Sequence, residues 1–122
     1  MSITTVKASS IIGTRVENWE GEDLGLIAEV MLNKIHGEIA YLVLSYPGTF
    51  GADYLNKYFA VPFDSIAMRE SASEGDYILN VDEAFLRRAP GFNKSDWPDF
   101  ADPKFNSVLK DYYKDVSVDL VV

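Results

Sequence analysis

The sequence predicts a mainly β protein: a small antiparallel β-barrel of about six strands with a C-terminal helical tail packed on it. Three observations predict this. About six short apolar runs follow one another up to Val81, separated by turn residues and with no long helix between them, the pattern of an antiparallel sheet that curls on itself. In EIAYLVLS, Ile39, Tyr41 and Val43 point one way while Ala40, Leu42 and Leu44 point the other, so both faces of that strand are covered. After Val81 the period changes. Phe105, Val108, Leu109, Tyr112 and Tyr113 follow i, i+3, i+4, i+7, i+8 spacing, which makes one apolar helix face that must lie against something.

The elements follow in order. ASSIIG reads as a short helical turn that Ser9 or Ser10 caps and Gly13 ends,. TRVENW starts the sheet, EGED turns around Gly21, and LGLIAEVML is a long strand whose Leu24, Leu26, Ala28, Val30 and Leu32 share a face,. Gly25, in the middle of that strand, marks a bulge or sharp bend,. NKIHG is a hairpin turn and EIAYLVLS the returning strand,. Residues 46–57, with two glycines and a proline, form a long loop, after which YFAVPF, IAMRE and DYILNV supply three short strands,.

Asp82 is the N-cap of a brief helix, EAFLRRA, that Pro90 and Gly91 halt,. APGFNKSDWPDF fits neither a helical nor a strand period although it carries Phe92, Trp97 and Phe100. Asp102 and Pro103 then open a second helix, as N-cap and first helical residue,. The organisation is therefore a barrel over 1–81, an extension over 82–113 with two short helices in the same domain, and a tail over 114–122. In that tail Val116, Val118 and Leu120 alternate with polar residues, as in a strand that adds to a sheet edge or frays.

Composition narrows the function classes. A chain of 122 residues suits a single domain with a real core,. Cysteine is absent, which removes disulfides, thiolate chemistry and cysteine zinc sites and suits a reducing compartment,. A formal net charge of -8 repels phosphate backbones and anionic headgroups, so nucleic acid is not expected as a direct ligand. The longest apolar run, IAYLVL, is far short of a membrane span, and the N-terminus lacks a secretory leader pattern,. A cytoplasmic protein without direct membrane insertion is expected.

Four stretches in this order carry a family resemblance: G-x-x-V at Gly13 to Val16, E-x-x-x-L-G at Glu20 to Gly25, G-x-I-A-Y at Gly37 to Tyr41, and F-A-V-P-F at Phe59 to Phe63. Together they resemble the PRC-barrel domain, a small β-barrel family named for the cytoplasmic domain of the photosynthetic reaction centre H subunit and also found at the C-terminus of ribosome-maturation factors. The similarity runs from about Ala8 to Tyr113, and APGFNKSDWPDFADPKF looks like the tail of free-standing bacterial members. The last residues, DVSVDLVV, depart from the pattern. The resemblance implies adaptor roles in electron-transfer complexes or ribosome assembly. With no membrane helix and no preceding partner domain in the sequence, it points to a free-standing regulatory or stress-linked protein.

Catalytic chemistry has little to stand on, and no enzyme activity is expected. His36, the one histidine, sits in the NKIHG turn without a nucleophile motif elsewhere,. Glu20, Glu22 and Asp23, and likewise Asp96, Asp99 and Asp102, read as solvated turns and helix caps and match no EF-hand loop,. Gly48 and Gly51 lack the sequence of a phosphate cradle,. No cofactor or metal is expected. Phe92, Trp97 and Phe100 read as anchors that cover apolar surface. The candidate partner contacts are Phe50, Tyr54, Tyr58, Trp97 and Phe100,. The expected function is a noncatalytic protein interaction or assembly module, a homodimer with a further unidentified protein partner. The alternative is a small-molecule or cation site at the barrel mouth, between the 46–57 loop and the aromatic tail.

Overall fold

The computed structural model describes residues 7–45, 57–68 and 77–116. In chain order these form α1 (Ala8–Ile11), β1 (Arg15–Glu17), β2 (Asp23–Asn33), β3 (Glu38–Ser45), β4 (Lys57–Pro62), β5 (Ala67–Met68), β6 (Tyr77–Ile78), α2 (Glu83–Arg87), β7 (Phe92–Asn93) and α3 (Pro103–Tyr113), with a 3-10 turn at Phe63–Ser65. All seven strands belong to one sheet of order β5-β6-β1-β2-β3-β4-β7.

The mainly β class and the helical tail stand, while the antiparallel six-stranded cylinder needs correction. The sheet has seven strands, and β6 runs parallel to β1, pairing Tyr77 with Val16 and Ile78 with Glu17. Its outermost strands, β5 and β7, are not hydrogen-bonded to each other among the described residues, so no ring of hydrogen bonds closes it. Strand direction explains the parallel pair. β1 to β4 alternate, β5 opposes β6, and β6 follows β1, so β4 and β5 point the same way. The chain bends between them at the 3-10 turn and passes from one side of the sheet to the other.

The face expected of β2 also changes. Leu24 and Ile27 are buried, whereas Leu26 and Leu32 are exposed. Register explains it. Val16 pairs with Gly25 but Glu17 with Asp23, which leaves Leu24 as an extra residue, and the pairing with β3 shifts again between Ile27 and Glu29 and between Met31 and Leu32. The extra residue is on β2 at Leu24 and Ala28, where it reverses which of that strand's side chains point inward, and on β3 at Ala40,. Gly25, at φ 122, lies beside the first of these bulges, as its position in mid-strand predicts.

β3 is buried on both sides, with Tyr41, Leu42, Val43 and Leu44 all in the core. Cross-strand partners share a face, so Tyr41, Val43 and Ser45 lie with Pro62, Ala60 and Tyr58, while Leu42 and Leu44 lie with Val61 and Phe59,. The C-terminal segment covers the first of these faces. The second joins Val16, Leu24, Ile27 and Leu79 in the interior.

Helix ends follow the predicted caps with one exception. The Asp82 side chain accepts from Phe85 N at 2.7 Å and the Asp102 side chain from Lys104 N at 3.0 Å, with Pro103 at the start of α3. At α1 the N-cap is Lys7, and the Ser10 hydroxyl instead donates to the Lys7 carbonyl at 2.7 Å. Four residues of helix leave no room for a serine cap further along. Gly13, at φ 92, follows the helix in the left-handed region as expected,.

Asn18 ties the first turn to the link between β6 and α2. It is 1% exposed. Its Nδ2 donates to Glu22 Oε1 at 2.7 Å and to the Val81 carbonyl at 3.0 Å, and its Oδ1 accepts from the backbone of Glu20 and Glu22 at 3.1 and 2.9 Å. A buried amide with every bond made is a strong local constraint. Asn18→Ala removes all four bonds and strands the Val81 carbonyl; a loss of about 2–3 kcal/mol is expected in urea unfolding, with an unchanged m-value.

Candidate functional site

Three features of the surface could meet a partner or ligand. The first is an aromatic cover. Pro90 and Gly91 end the chain's run after α2, and Phe92–Asn93 then pair with Tyr58 and Lys57 as the edge strand β7, a regular element where the sequence shows no period. Two residues are too few to display one. Gly91 lies on the other side of this short strand, where an added Cβ would stand 2.6 Å from the Phe59 ring, so the approach of β7 to β4 depends on its missing side chain.

From there the rings interlock. Phe92 meets Tyr58 at 6.1 Å, Trp97 at 5.0 Å and Phe100 at 6.0 Å between centroids, and Phe100 continues to Tyr41 at 5.7 Å and Phe105 at 5.2 Å. Most of these pairs are edge-on or tilted, the arrangement the ring quadrupole favours. Of the predicted contact residues, Tyr58, Trp97 and Phe100 are brought together, with Trp97 5.8 Å from Tyr58 and 6.1 Å from Phe100. Phe50 and Tyr54 lie outside the described residues. Trp97 is the outer ring at 38% exposure, and its indole donates to the Lys94 carbonyl at 2.8 Å. Asn106 of α3 locks the cover down by accepting from the Tyr41 hydroxyl and donating to the Phe100 carbonyl.

The second feature is the β2–β3 hairpin. β1 pairs with β2 between Asp23 and Leu26, and β4 pairs with β3 between Tyr41 and Ser45. Among the described residues the span from 28 to 40 therefore pairs only with itself in the sheet, as a two-stranded ribbon. Its turn is held by Asn33, whose Oδ1 accepts from Ile35 N at 3.1 Å and His36 N at 3.3 Å, with Gly37 at φ 68. Val30, Met31 and Ile39 are half-buried along it, while Leu32 and Ile35 are 67% and 86% exposed. Periodicity identified the hairpin but not its projection, which depends on how far the neighbouring strands reach.

The third is an open cleft of about 380 Å³ between α2 and α3. Val81, Phe85 and Val116 form its apolar lining, and Asp82, Arg88 and Asp115 its charges. The Tyr112 hydroxyl donates to the Phe85 carbonyl, and its ring lies 4.5 Å from that of Phe85. Burial raises the Tyr112 phenol above its ordinary pKa, opposed by the Arg88 guanidinium beside it. Of the barrel-mouth site expected between the 46–57 loop and the aromatic tail, residues 46–56 lie outside the described residues. No sequence signal marked the cleft.

The carboxylate groups singled out in the sequence serve their own turns. Glu22 accepts from Asn18, Asp23 from Gly25 N, Asp99 from Ala101 N and Asp102 from Lys104 N. Among the described residues no three histidine, aspartate or glutamate side chains gather around a common point. No described helix is long and apolar enough to cross a membrane. His36 is exposed in its turn.

Tyr113 anchors α3 at 1% exposure, against Phe85 at 5.8 Å and Tyr112 at 5.2 Å, and its hydroxyl has no hydrogen-bond partner among the described residues. Burial, and then the neighbouring Tyr112, push its phenol far above the usual range. The folded state thus favours the protonated phenol, so this stability is complete below about pH 10 and is lost as pH rises above it. Tyr113→Phe is expected to unfold no more easily at pH 7, with a gain of up to about 1 kcal/mol. Between pH 9 and 11, thermal melts of the variant should fall less steeply than those of the unaltered chain.

Residues 3–86 match the family model of the PRC-barrel domain. No curated protein matches the chain. The matched span contains β1 to β6 and most of α2, and the aromatic cover and α3 follow it as an addition. On the strength of a match across more than half its length, the chain belongs to the PRC-barrel domain family.

Proposed function

We propose that the protein is a noncatalytic interaction or assembly module that works as a homodimer. One observation carries this reading: the β2–β3 ribbon holds Leu32 and Ile35 in water at 67% and 86% exposure. Burying each of these side chains is worth about 1.5–3 kcal/mol. A two-fold contact buries both from each copy, a gross gain of about 6–12 kcal/mol that is set against the cost of docking. The nearby Val30, Met31 and Ile39 are half-buried against the chain's own core, so Leu32 and Ile35 are the ribbon's large exposed apolar side chains.

The charge balance agrees with self-association through this element. Two copies, each at -8, repel one another at long range, but the ribbon carries only Glu29, Lys34 and Glu38 as formal charges. Its contact therefore brings few like charges close. A further protein partner would meet the remaining surface, with Tyr58, Trp97 and Phe100 as the candidate contacts on that side. A regulatory or stress-linked setting and a cytoplasmic location complete the proposal, and both rest on the family resemblance and the composition.

Light scattering on the eluting protein tests it. At micromolar concentration the unaltered chain should show twice the 13.7 kDa monomer mass, and more dimer as salt screens the net charge. Leu32→Ser with Ile35→Ser should give a monomer whose stability is unchanged within about 0.5 kcal/mol. An unaltered chain that stays monomeric at all concentrations would rule out the homodimer.

A further inference from the structure

The cleft between α2 and α3 holds both signs of charge around an apolar lining. Arg88 is the C-cap of α2, and its guanidinium lies beside the Tyr112 phenol of α3. The other two arginines in the described residues have carboxylate partners, Arg15 with Glu17 at 2.7 Å and Arg87 with Glu83 at 3.3 Å. Arg88 forms no ion pair among the described residues. A guanidinium carries five N–H donors in a planar fork and can take a carboxylate through two of them. Asp82 spends one oxygen on capping Phe85 N at 2.7 Å, which leaves its other oxygen, and the carboxylate of Asp115, for a donor in the cleft.

These charges restrict what can bind. A simple anion meets two aspartates and a chain of net charge -8. A simple cation meets Arg88. A molecule carrying both signs finds a partner for each in the lining, and an aliphatic body on it would rest on Val81, Phe85 and Val116. The volume, about 380 Å³, falls at the small end of ligand pockets,.

We propose that this cleft is a binding site for a free apolar α-amino acid, whose carboxylate is held by Arg88, whose ammonium faces Asp82 and Asp115, and whose side chain lies on Val81, Phe85 and Val116. Tyr112 acts as a positioning residue. Its hydroxyl is fixed by the Phe85 carbonyl, and the Arg88 guanidinium lies beside it. The site is separate from the ribbon proposed for dimerisation, so either can fail without the other.

Amide chemical shifts of the full chain, titrated with L-leucine, read the site directly. Saturable shifts confined to residues 80–88 and 112–116 are expected, with a dissociation constant on the order of 1 mM for so open a cleft. 4-Methylvalerate lacks the ammonium and isoamylamine lacks the carboxylate; each should bind at least about tenfold more weakly, as expected when one charge-assisted bond is lost. Arg88→Gln and Asp115→Asn, both at exposed positions, should keep the spectrum of the fold and lose the leucine response. No saturable shift up to about 20 mM leucine, a half-ligand that binds as well as leucine, or variants that respond unchanged would each overturn the proposal.

Discussion

The short link between β4 and β5 constrains everything else in the fold. In the sheet order these strands are five steps apart, which in a flat sheet is about 24 Å at the usual strand spacing. The chain covers the distance from Pro62 to Ala67, at most about 18 Å even when fully extended, and a 3-10 turn at Phe63–Ser65 shortens it further. The sheet therefore curls until its two sides approach. The three register shifts along β2 supply the bending, since an extra residue on one strand increases local twist,. The curl also explains why β3 is apolar on both faces: one lines the enclosed core, and the other is left outside.

What covers that outer face is the part of the chain beyond the family match. Tyr41, Val43, Tyr58 and Ala60 would face water on a bare barrel. Instead Phe92, Trp97, Phe100 and Phe105 close over them in a run of ring contacts, and α3 adds Leu109 at 0% exposure. Aromatics suit this task because each removes a large area from water while fixing few torsions. Two hydroxyl bonds, Tyr41 to Asn106 and Tyr112 to the Phe85 carbonyl, set where the cover sits. Tyr113 has the opposite character. It contributes packing, and its unpartnered hydroxyl subtracts from it,.

Legibility in the sequence followed the range of the interaction. Asp82, Asp102 and Pro103 were readable as caps because a cap bonds within three residues,. Gly25 was readable as a bulge, yet the face it creates was not. Alternation alone assigned Leu26 and Leu32 to the side of Leu24, and only the cross-strand register shows where parity breaks. DYILNV was readable as a strand, but the parallel pairing of its β6 with β1 was not, and β7 has two residues, too few to carry a period; both are fixed by the edge of another strand. Phe92, Trp97 and Phe100 were recognised as a set from their size and their non-periodic segment, while Tyr58 was singled out separately, beside the 46–57 loop. The cleft had no signature, because Arg88 and Tyr112 look like ordinary helix residues until α2 and α3 are set side by side.

The net charge divides the surface by range. At physiological salt a field decays over about 8 Å, so a charge of -8 governs approach while close contact is decided residue by residue. The ribbon from 28 to 40 carries Glu29, Glu38 and Lys34, formally -1 of that total, and it presents Leu32 and Ile35. An approaching acidic body is slowed everywhere, but least is lost where it meets this ribbon, because few carboxylates must be desolvated there. The cleft works by the reverse arrangement: charges of both signs line it, so the zwitterion proposed there would meet an opposite charge at each end. An apolar projection and a mixed-charge hollow are the two kinds of surface on which so acidic a chain can bind without first neutralising itself.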